Sequence, residues 1–309
     1  TEEHCYIFSD ARYFEQIVRE ASGWELVEGN GFSLDSLAGI CDNFKRLGFE
    51  SQDTSYDLYQ QMEQKLPGKL VALANTIEKF RMIKDETELA VLRGAAGAGD
   101  TVFQQICQEL QPGITEQYIA NRIGWLLREG GCSKESFDTI AVAGANAALP
   151  HGQPGSYRLK SGDMLTLDFG GFYQGYAGDM TRTVIIEKAD SRFKDYYFYL
   201  LEAQELGVSL VKAGVNCREL DGKVRHCLSK YGLDSYFRHG TGHGLGLEVH
   251  EAPRLSPSSQ AILEENMVVT VEPGIYIPGW GGIRIEDTVI VKNGGCEVIT
   301  HSDKGLLII

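Results

Sequence analysis

The sequence predicts a two-domain α+β protein, and three features predict it. Strand-like and helix-like runs alternate over the first 76 residues; a helix–turn–helix pattern beginning at Leu110 returns from Val211; and two strand-like runs flank a glycine-rich turn between Met164 and Ile186. With 309 residues, 43% of them hydrophobic, the chain can fill one large or two modest domains with packed cores. A formal net charge of -14 argues against a nucleic-acid surface and against attraction to anionic membranes, leaving small or cationic partners. The seven cysteines are scattered with no CxxC spacing, so neither a disulfide framework nor a zinc–thiolate site is expected, and reduced thiols in the cytoplasm are the default. No apolar run reaches the roughly 18 residues of a membrane span, and no signal peptide is visible.

In chain order, CYIFSD (5–10) reads as a strand, ARYFEQIVREAS (11–22) as an amphipathic helix and WELVEG (24–29) as a second strand. SLDSLAGICDNFKRLG (33–48) reads as a helix and KLVALAN (69–75) as a strand, together a small open sheet with covering helices. No cluster of histidines, cysteines or acids stands out here. The abrupt start in TEEHCYIFSD suggests a truncated domain, and the boundary is placed near Thr76, giving domains 1–76 and 77–309. The charged segment 78–88 leads into a long helix, where Asp85, Glu86 and Glu88 suit the positive end of the helix dipole.

The second domain carries a weak internal repeat. LQPGITEQYIANRIGWLLREGG, from Leu110, resembles VKAGVNCRELDGKVRHCLSKYGL, from Val211, pairing Gly113 with Gly214, Ile114 with Val215, Thr115 with Asn216 and Gly131 with Gly232. Each copy reads as a helix end, a turn, an N-cap at Thr115 or Asn216, and a second helix, followed by strand-like sequence. Two α+β halves related by pseudo-symmetry follow, with a site where they meet.

Between the copies lies MLTLDFGGFYQGYAGDMTRTVII (164–186), in which Gly170, Gly171, Gly175 and Gly178 punctuate two β-branched, apolar runs, the pattern of a hairpin. The midpoint of Asp168 and Asp179 falls between Tyr173 and Gln174. A turn centred there sets the two carboxylates opposite each other, Cβ atoms roughly 4.5–5.5 Å apart, where like charges destabilise the hairpin unless a cation lies between them. Two aspartates near a glycine-rich loop are ordinarily just solvated; the rest of the C-terminal third changes that reading. It adds His243 in HGTGHGLG, Glu272 in VVTVEPGIY and Glu286 in GGIRIEDTVIV. Four carboxylates and one imidazole without a thiolate suit Mn²⁺ and, less specifically, Co²⁺, Fe²⁺ or Zn²⁺. Five such ligands are too many for one catalytic ion with open positions, and suit two ions about 3.5–4 Å apart that share bridging carboxylates and a water or hydroxide.

The motifs LDFGGFYQGYAGDMTRT, HGTGHGLGLEVHEAP, VEPGIY and GIRIEDTV, carrying these five residues, closely resemble the pita-bread metallopeptidases, the superfamily of methionine aminopeptidase, aminopeptidase P, prolidase and creatinase. The resemblance spans essentially the whole chain. FDTIAVAGANAALPHGQPG and the N-terminal FSDARYFEQ resemble the branch acting on Xaa-Pro bonds, whereas a methionine aminopeptidase would not carry this N-terminal domain. The family implies that Asp168 chelates one metal, that His243 and Glu272 hold the other, and that Asp179 and Glu286 bridge. It further implies attack on the amide by a metal-bridging hydroxide, an oxyanion stabilised by a metal and a nearby donor, and a homodimer.

His151 in LPHGQ, His239 in RHGTGH and His250 in EVHEAP match family positions lining the substrate site, where they could donate to the oxyanion, relay a proton or hold the substrate carbonyl. Arg284, two residues before Glu286, would share its strand face and could pair with a ligand or a substrate carboxylate. Tyr276 could reach the site or serve the core or rim. Gly240, Gly242, Gly244 and Gly246 could allow close backbone approach to metal and substrate, or simply loop flexibility. His4, His226 and His301 lack such a context. The sequence thus points to a dinuclear exopeptidase cleaving Xaa-Pro bonds, as a dipeptidase or an aminopeptidase, with no organic cofactor. A non-catalytic peptide-binding module or a creatinase-like amidinohydrolase would be expected to have lost the ligand set.

Overall fold

In a computed structural model, which describes residues 3–309, the chain divides into a unit ending at Ile77 and a unit beginning at Glu78. The first contains β1 (Tyr6–Asp10), α1 (Phe14–Glu20), β2 (Glu25–Gly29), α2 (Leu34–Ile40), β3 (Leu47–Glu50), α3 (Tyr56–Lys65) and β4 (Leu70–Leu73). Instead of one open sheet there are two parallel pairs, β1 with β2 and β3 with β4. The helix predicted over 33–48 stops at Ile40, and its tail enters β3, where burial alternates with period two as the side chains Leu47 to Glu50 do. The missed α3 begins at Ser55, whose side chain accepts from the Leu58 N–H.

A short α4 (Thr76–Met82) leads into the second unit. There α5 (Glu86–Cys107) opens with a capping box: Asp85 accepts from the Glu88 N–H at 2.9 Å and Glu88 from the Asp85 N–H at 2.7 Å. Next come α6 (Glu116–Glu129), β5 (Ile140–Ala143), β6 (Met164–Phe169), β7 (Phe172–Tyr173), β8 (Tyr176–Ala177) and β9 (Met180–Ile185). The second half follows with α7 (Ser191–Leu210), α8 (Cys217–Ser229), β10 (Gly242–Gly244), β11 (Glu251–Leu255), β12 (Val268–Val271), β13 (Gly274–Ile277), β14 (Gly281–Arg284), β15 (Asp287–Lys292) and β16 (Gly295–Val298).

The repeat seen in the sequence persists in the main chain. Thr115 caps α6 and Asn216 caps α8. Before them Gly113 (φ 96°) and Gly214 (φ 87°) make the same left-handed turn, and each donates its N–H at 2.8 Å, to Leu159 O and Leu263 O respectively. In the first half α6 packs its apolar face, including Ile119 and Ile123, with Leu165 and Val184 of the sheet β5–β6–β9. In the second, Leu220 and Val224 of α8 join Val271 and Val289 of the five-stranded sheet β11–β10–β12–β15–β16. Among the described residues no helix is long and apolar enough to cross a membrane.

The central hairpin forms, with a shifted centre. Asp168 pairs with Thr181 and Tyr173 with Tyr176, so the turn lies between Gln174 and Gly175, both at positive φ (48° and 89°). Such a two-residue type I′ turn places glycine second, which Gln174–Gly175 satisfies and Tyr173–Gln174 does not. The expectation that Asp168 and Asp179 face each other directly is therefore corrected: Thr181 faces Asp168.

Candidate metal centre

The four acids and one imidazole singled out in the sequence come from both halves. Asp168 lies near the end of β6, Asp179 just before β9, His243 in β10, Glu272 just after β12, and Glu286 just before β15. Asp179, His243 and Glu286 are buried, and each brings a ligand atom within 4.8 Å of the others. His243 Nε2 lies 3.2 Å from Glu272 Oε1 and 3.5 Å from Asp179 Oδ2. Its Nδ1 is 3.0 Å from the Gly244 carbonyl, which takes that proton and leaves the Nε2 lone pair facing the carboxylates, the orientation of a metal-ligating imidazole.

The electrostatics call for positive charge. Burial, reinforced by Glu286, Asp168 and Glu272, pushes Asp179 well above the usual carboxylate range. Burial and then Glu272 and Asp168 do the same to Glu286; burial also raises Asp168, against the pull of Arg284. Burial acts upward on Glu272 as well, but His243, when protonated at both nitrogens, outweighs it by hydrogen bond and charge and holds that acid at about 2. Asp168 Oδ1 and Glu286 Oε1 are buried without a hydrogen-bond partner among the described residues. Converging lone pairs, two orphaned oxygens and a donor set without thiolate fit hard or borderline divalent cations.

Around this group runs a chain of donors. Arg284, at the end of β14 and buried, donates to Asp168 Oδ2, to Tyr276 OH at 2.6 Å, to Thr181 Oγ1 at 3.1 Å and to Pro150 O at 3.2 Å. Thr181 in turn donates its hydroxyl proton in a hydrogen bond to Glu286 Oε2 at 2.7 Å. His239 Nδ1 donates to Gly240 O at 2.9 Å, so its Nε2, also at 2.9 Å, accepts from Tyr276 OH. Tyr276 is thus part of the site, its phenol pushed up to about 12 chiefly by burial. Burial lowers His239, and burial with the charge of His243 lowers His250, whose ring stands 4.4 Å from that of His243, to about 4. His151 is exposed on the loop after β5. All nine candidate residues, namely His151, His239, His250 and Arg284 with the four acids and His243, line one cavity of about 500 Å³, whereas His4, His226 and His301 do not.

Sequence reasoning missed the residues that hold these loops. Glu116, fully buried at the start of α6, accepts from Ala143 N at 2.7 Å, Asn146 Nδ2 at 3.1 Å and Gly155 N at 3.0 Å, clamping the loop that carries His151. Asp221 of α8 accepts from Thr241 N at 3.0 Å and Thr241 Oγ1 at 2.9 Å, while its partner Arg225 donates to Phe237 O and His239 O. Glu251, beside His250, is held by Arg81 and by Lys84 at 3.2 Å. Behind Glu286, Arg182 ties Thr181 O and Glu286 O together and pairs with Asp287 at 2.9 Å. Asp221 did leave a signal, an acid inside the apolar stripe of Leu220 and Val224. Around His243 the glycines serve strand packing: a Cβ on Gly242 would lie 1.9 Å from Thr270 O and one on Gly244 2.1 Å from Ala252 O. The close approach is to neighbouring backbone.

Residues 90–293 match the model of metallopeptidase family M24, and residues 1–83 that of the creatinase/prolidase N-terminal domain. The chain belongs to metallopeptidase family M24. Among M24 relatives, an uncharacterised peptidase of Bacillus subtilis is 42% identical over 304 residues, covering 97% of this chain and 86% of its own. Among solved structures, the Xaa-Pro dipeptidase from Bacillus anthracis superposes with a TM-score of 0.95 at 40% identity, covering 98% of this chain and 86% of that one. The X-Pro aminopeptidase from Thermotoga maritima gives 0.93 at 33% identity, covering 100% and 89%. The fold is accordingly the pita-bread catalytic domain behind a creatinase-type N-terminal domain.

Proposed function

We propose that this M24 metallopeptidase hydrolyses the amide bond preceding proline, as an Xaa-Pro dipeptidase or Xaa-Pro aminopeptidase. The observation that carries the reading is the convergence on one cavity of a carboxylate-rich ligand group and three histidines. The names of its relatives support proline specificity. Asp168, Asp179, His243, Glu272 and Glu286 would hold two divalent ions, Mn²⁺ foremost and Co²⁺, Zn²⁺ or Fe²⁺ as alternatives. Such ions, when bound, supply Lewis acidity and make hydroxide available near neutral pH. Asp179 and Glu286, offering ligand atoms within 4.8 Å of each other, are the natural shared ligands.

The remaining steps fall to the protein. Arg284 fixes Asp168 and, through Thr181, Glu286, so the ligand carboxylates keep their orientation. His250, held neutral near pH 7, can offer an N–H to the substrate carbonyl or to the oxyanion that develops from it, neutral His239, whose one N–H goes to Gly240 O, holds the Tyr276 hydroxyl in place, and exposed His151 can move protons between cavity and solvent. Proline lacks an N–H and has a fixed φ, so recognition of its amide must rest on cavity shape. The proposal extends to a homodimer, in line with the family resemblance, and to a reducing cytoplasmic setting, which suits seven free thiols.

The test is hydrolysis of Ala-Pro beside Ala-Pro-Ala by protein stripped of metal and reloaded with Mn²⁺, Co²⁺ or Zn²⁺. Cleavage of the dipeptide alone establishes the dipeptidase, and release of alanine from the tripeptide the aminopeptidase. Failure to cut either with any metal overturns the proposal.

A further inference from the structure

The catalytic cavity has a neighbour. A second pocket, of about 480 Å³, shares the wall formed by Phe137, Asp138 and Gln153 and is otherwise lined by polar groups that include Gln117 and Asn121 of α6 and Thr139. Three charged side chains reach this pocket, and two are engaged. Glu135 is paired with Arg128 at 2.8 Å, and the Lys134 ammonium lies 4.9 Å from the centre of the Phe172 ring. Asp138 is exposed, and its carboxylate has no hydrogen-bond or ion-pair partner among the described residues. Thr139 is only 8% exposed, yet its buried hydroxyl has no partner either.

Position connects this pocket to the chemistry. Ile140 pairs with Asp168 across β5 and β6, and Asp138 precedes Ile140 by two residues, a span of at most about 7 Å of extended chain. A substrate whose scissile bond lies at the ligand group therefore has Asp138 within reach of a long side chain on the residue before proline. Such a side chain needs a charge opposite to that of Asp138, and a lysine ammonium on its four-carbon stem or an arginine guanidinium supplies it together with several N–H donors. The carbonyl oxygen of Gln117, the Thr139 hydroxyl and the second lone pair of Asn121 Oδ1, which already accepts from Gln117 Nε2 at 3.0 Å, add acceptors for those donors.

We propose that this side pocket is a subsite for a basic side chain on the residue preceding proline, with Asp138 as its counter-ion; the inference rests on the Xaa-Pro reading above. It selects lysine or arginine at that position over glutamate.

The experiment compares kcat/KM for Arg-Pro, Lys-Pro, Leu-Pro and Glu-Pro between the Mn²⁺-loaded wild type and the variants Asp138→Asn and Asp138→Lys. Asp138 is exposed and unpaired, so both variants should fold, which circular dichroism checks. The wild type should favour Arg-Pro and Lys-Pro over Glu-Pro. Asp138→Asn should lower the Arg-Pro to Leu-Pro ratio roughly fivefold, the upper end for an exposed ion pair, chiefly through KM, and Asp138→Lys should turn the preference toward Glu-Pro. An unchanged ratio overturns the subsite. So does an equal fall for every substrate, which would assign Asp138 to the ammonium that all of them carry. A wild type that cuts neither the four dipeptides nor the matching Xaa-Pro-Ala tripeptides overturns the Xaa-Pro reading, and with it this inference, a result distinct from an active enzyme whose ratios do not move.

Discussion

Glu116 in the first half of the catalytic unit and Asp221 in the second do the same work by different means. Each is a buried acid on the helix that follows the left-handed glycine turn, and each holds the loop that brings a histidine to the cavity, His151 for Glu116 and His239 for Asp221. Glu116 accepts from N–H donors and has no ion-pair partner among the described residues, whereas Asp221 is paired with Arg225 at 2.8 Å. The arginine's extra donors reach two carbonyls of the second loop and draw it tight, which accompanies a half-buried His239 and an exposed His151. Pseudo-symmetry thus repeats the backbone frame, while side chains divide the chemistry: two aspartates on a hairpin from one half, an imidazole and two glutamates from the other.

The largest expected effect removes one proposed shared ligand from each half. Asp179→Ala and Glu286→Ala should each lower kcat at least about a thousandfold, roughly 4 kcal/mol of barrier, with far-ultraviolet circular dichroism unchanged. Near-normal turnover by either would show that the halves do not share the ions.

Next come the two loop clamps. Asp221→Ala strands the partly buried Arg225 and two Thr241 donors and should cost about 3 kcal/mol in urea unfolding. Glu116→Ala leaves neutral donors unpaired and should cost roughly 2–3 kcal/mol. A reversed order would mean that the counter-ion is not what separates the halves.

Metal removal addresses both halves together. Adding Mn²⁺ at a hundred times its Kd to stripped protein should raise unfolding stability by about 2.7 kcal/mol, and the Asp179→Ala variant should show little of this gain. Equal gains in the two proteins would place the bound metal elsewhere.

A pH dependence belongs to the second half. His250 titrates at about 4 in the folded protein against 6.5 ordinarily, so the unfolded chain takes up this proton first. Its contribution to stability is therefore complete above pH 6.5 and is lost as the pH falls toward 4. Wild-type stability should fall more steeply over that window than that of His250→Asn, and parallel curves would rule this out.

Local chemistry made much of this legible. Thr115 and Asn216 announced their helices because a cap depends on neighbours two or three residues away, and the four carboxylates with His243 announced a cation site because their donor types are sufficient to say so. Ser55 offered the same kind of signal for α3, which was overlooked. The hairpin centre was misplaced because symmetry between two aspartates is a weaker guide than the positive φ demanded of Gln174 and Gly175.

By itself, then, the sequence determined most of the elements, the repeated turns and a donor set suited to divalent cations, all properties of single residues and short spacings. Only the tertiary structure decided that Arg284 holds Asp168 from 116 residues away, that Thr181 reaches Glu286 across 105, and that Glu116 and Asp221 serve the loops. Those partners are chosen by burial, which forces each polar group out of water to find whichever donor or acceptor the fold brings beside it.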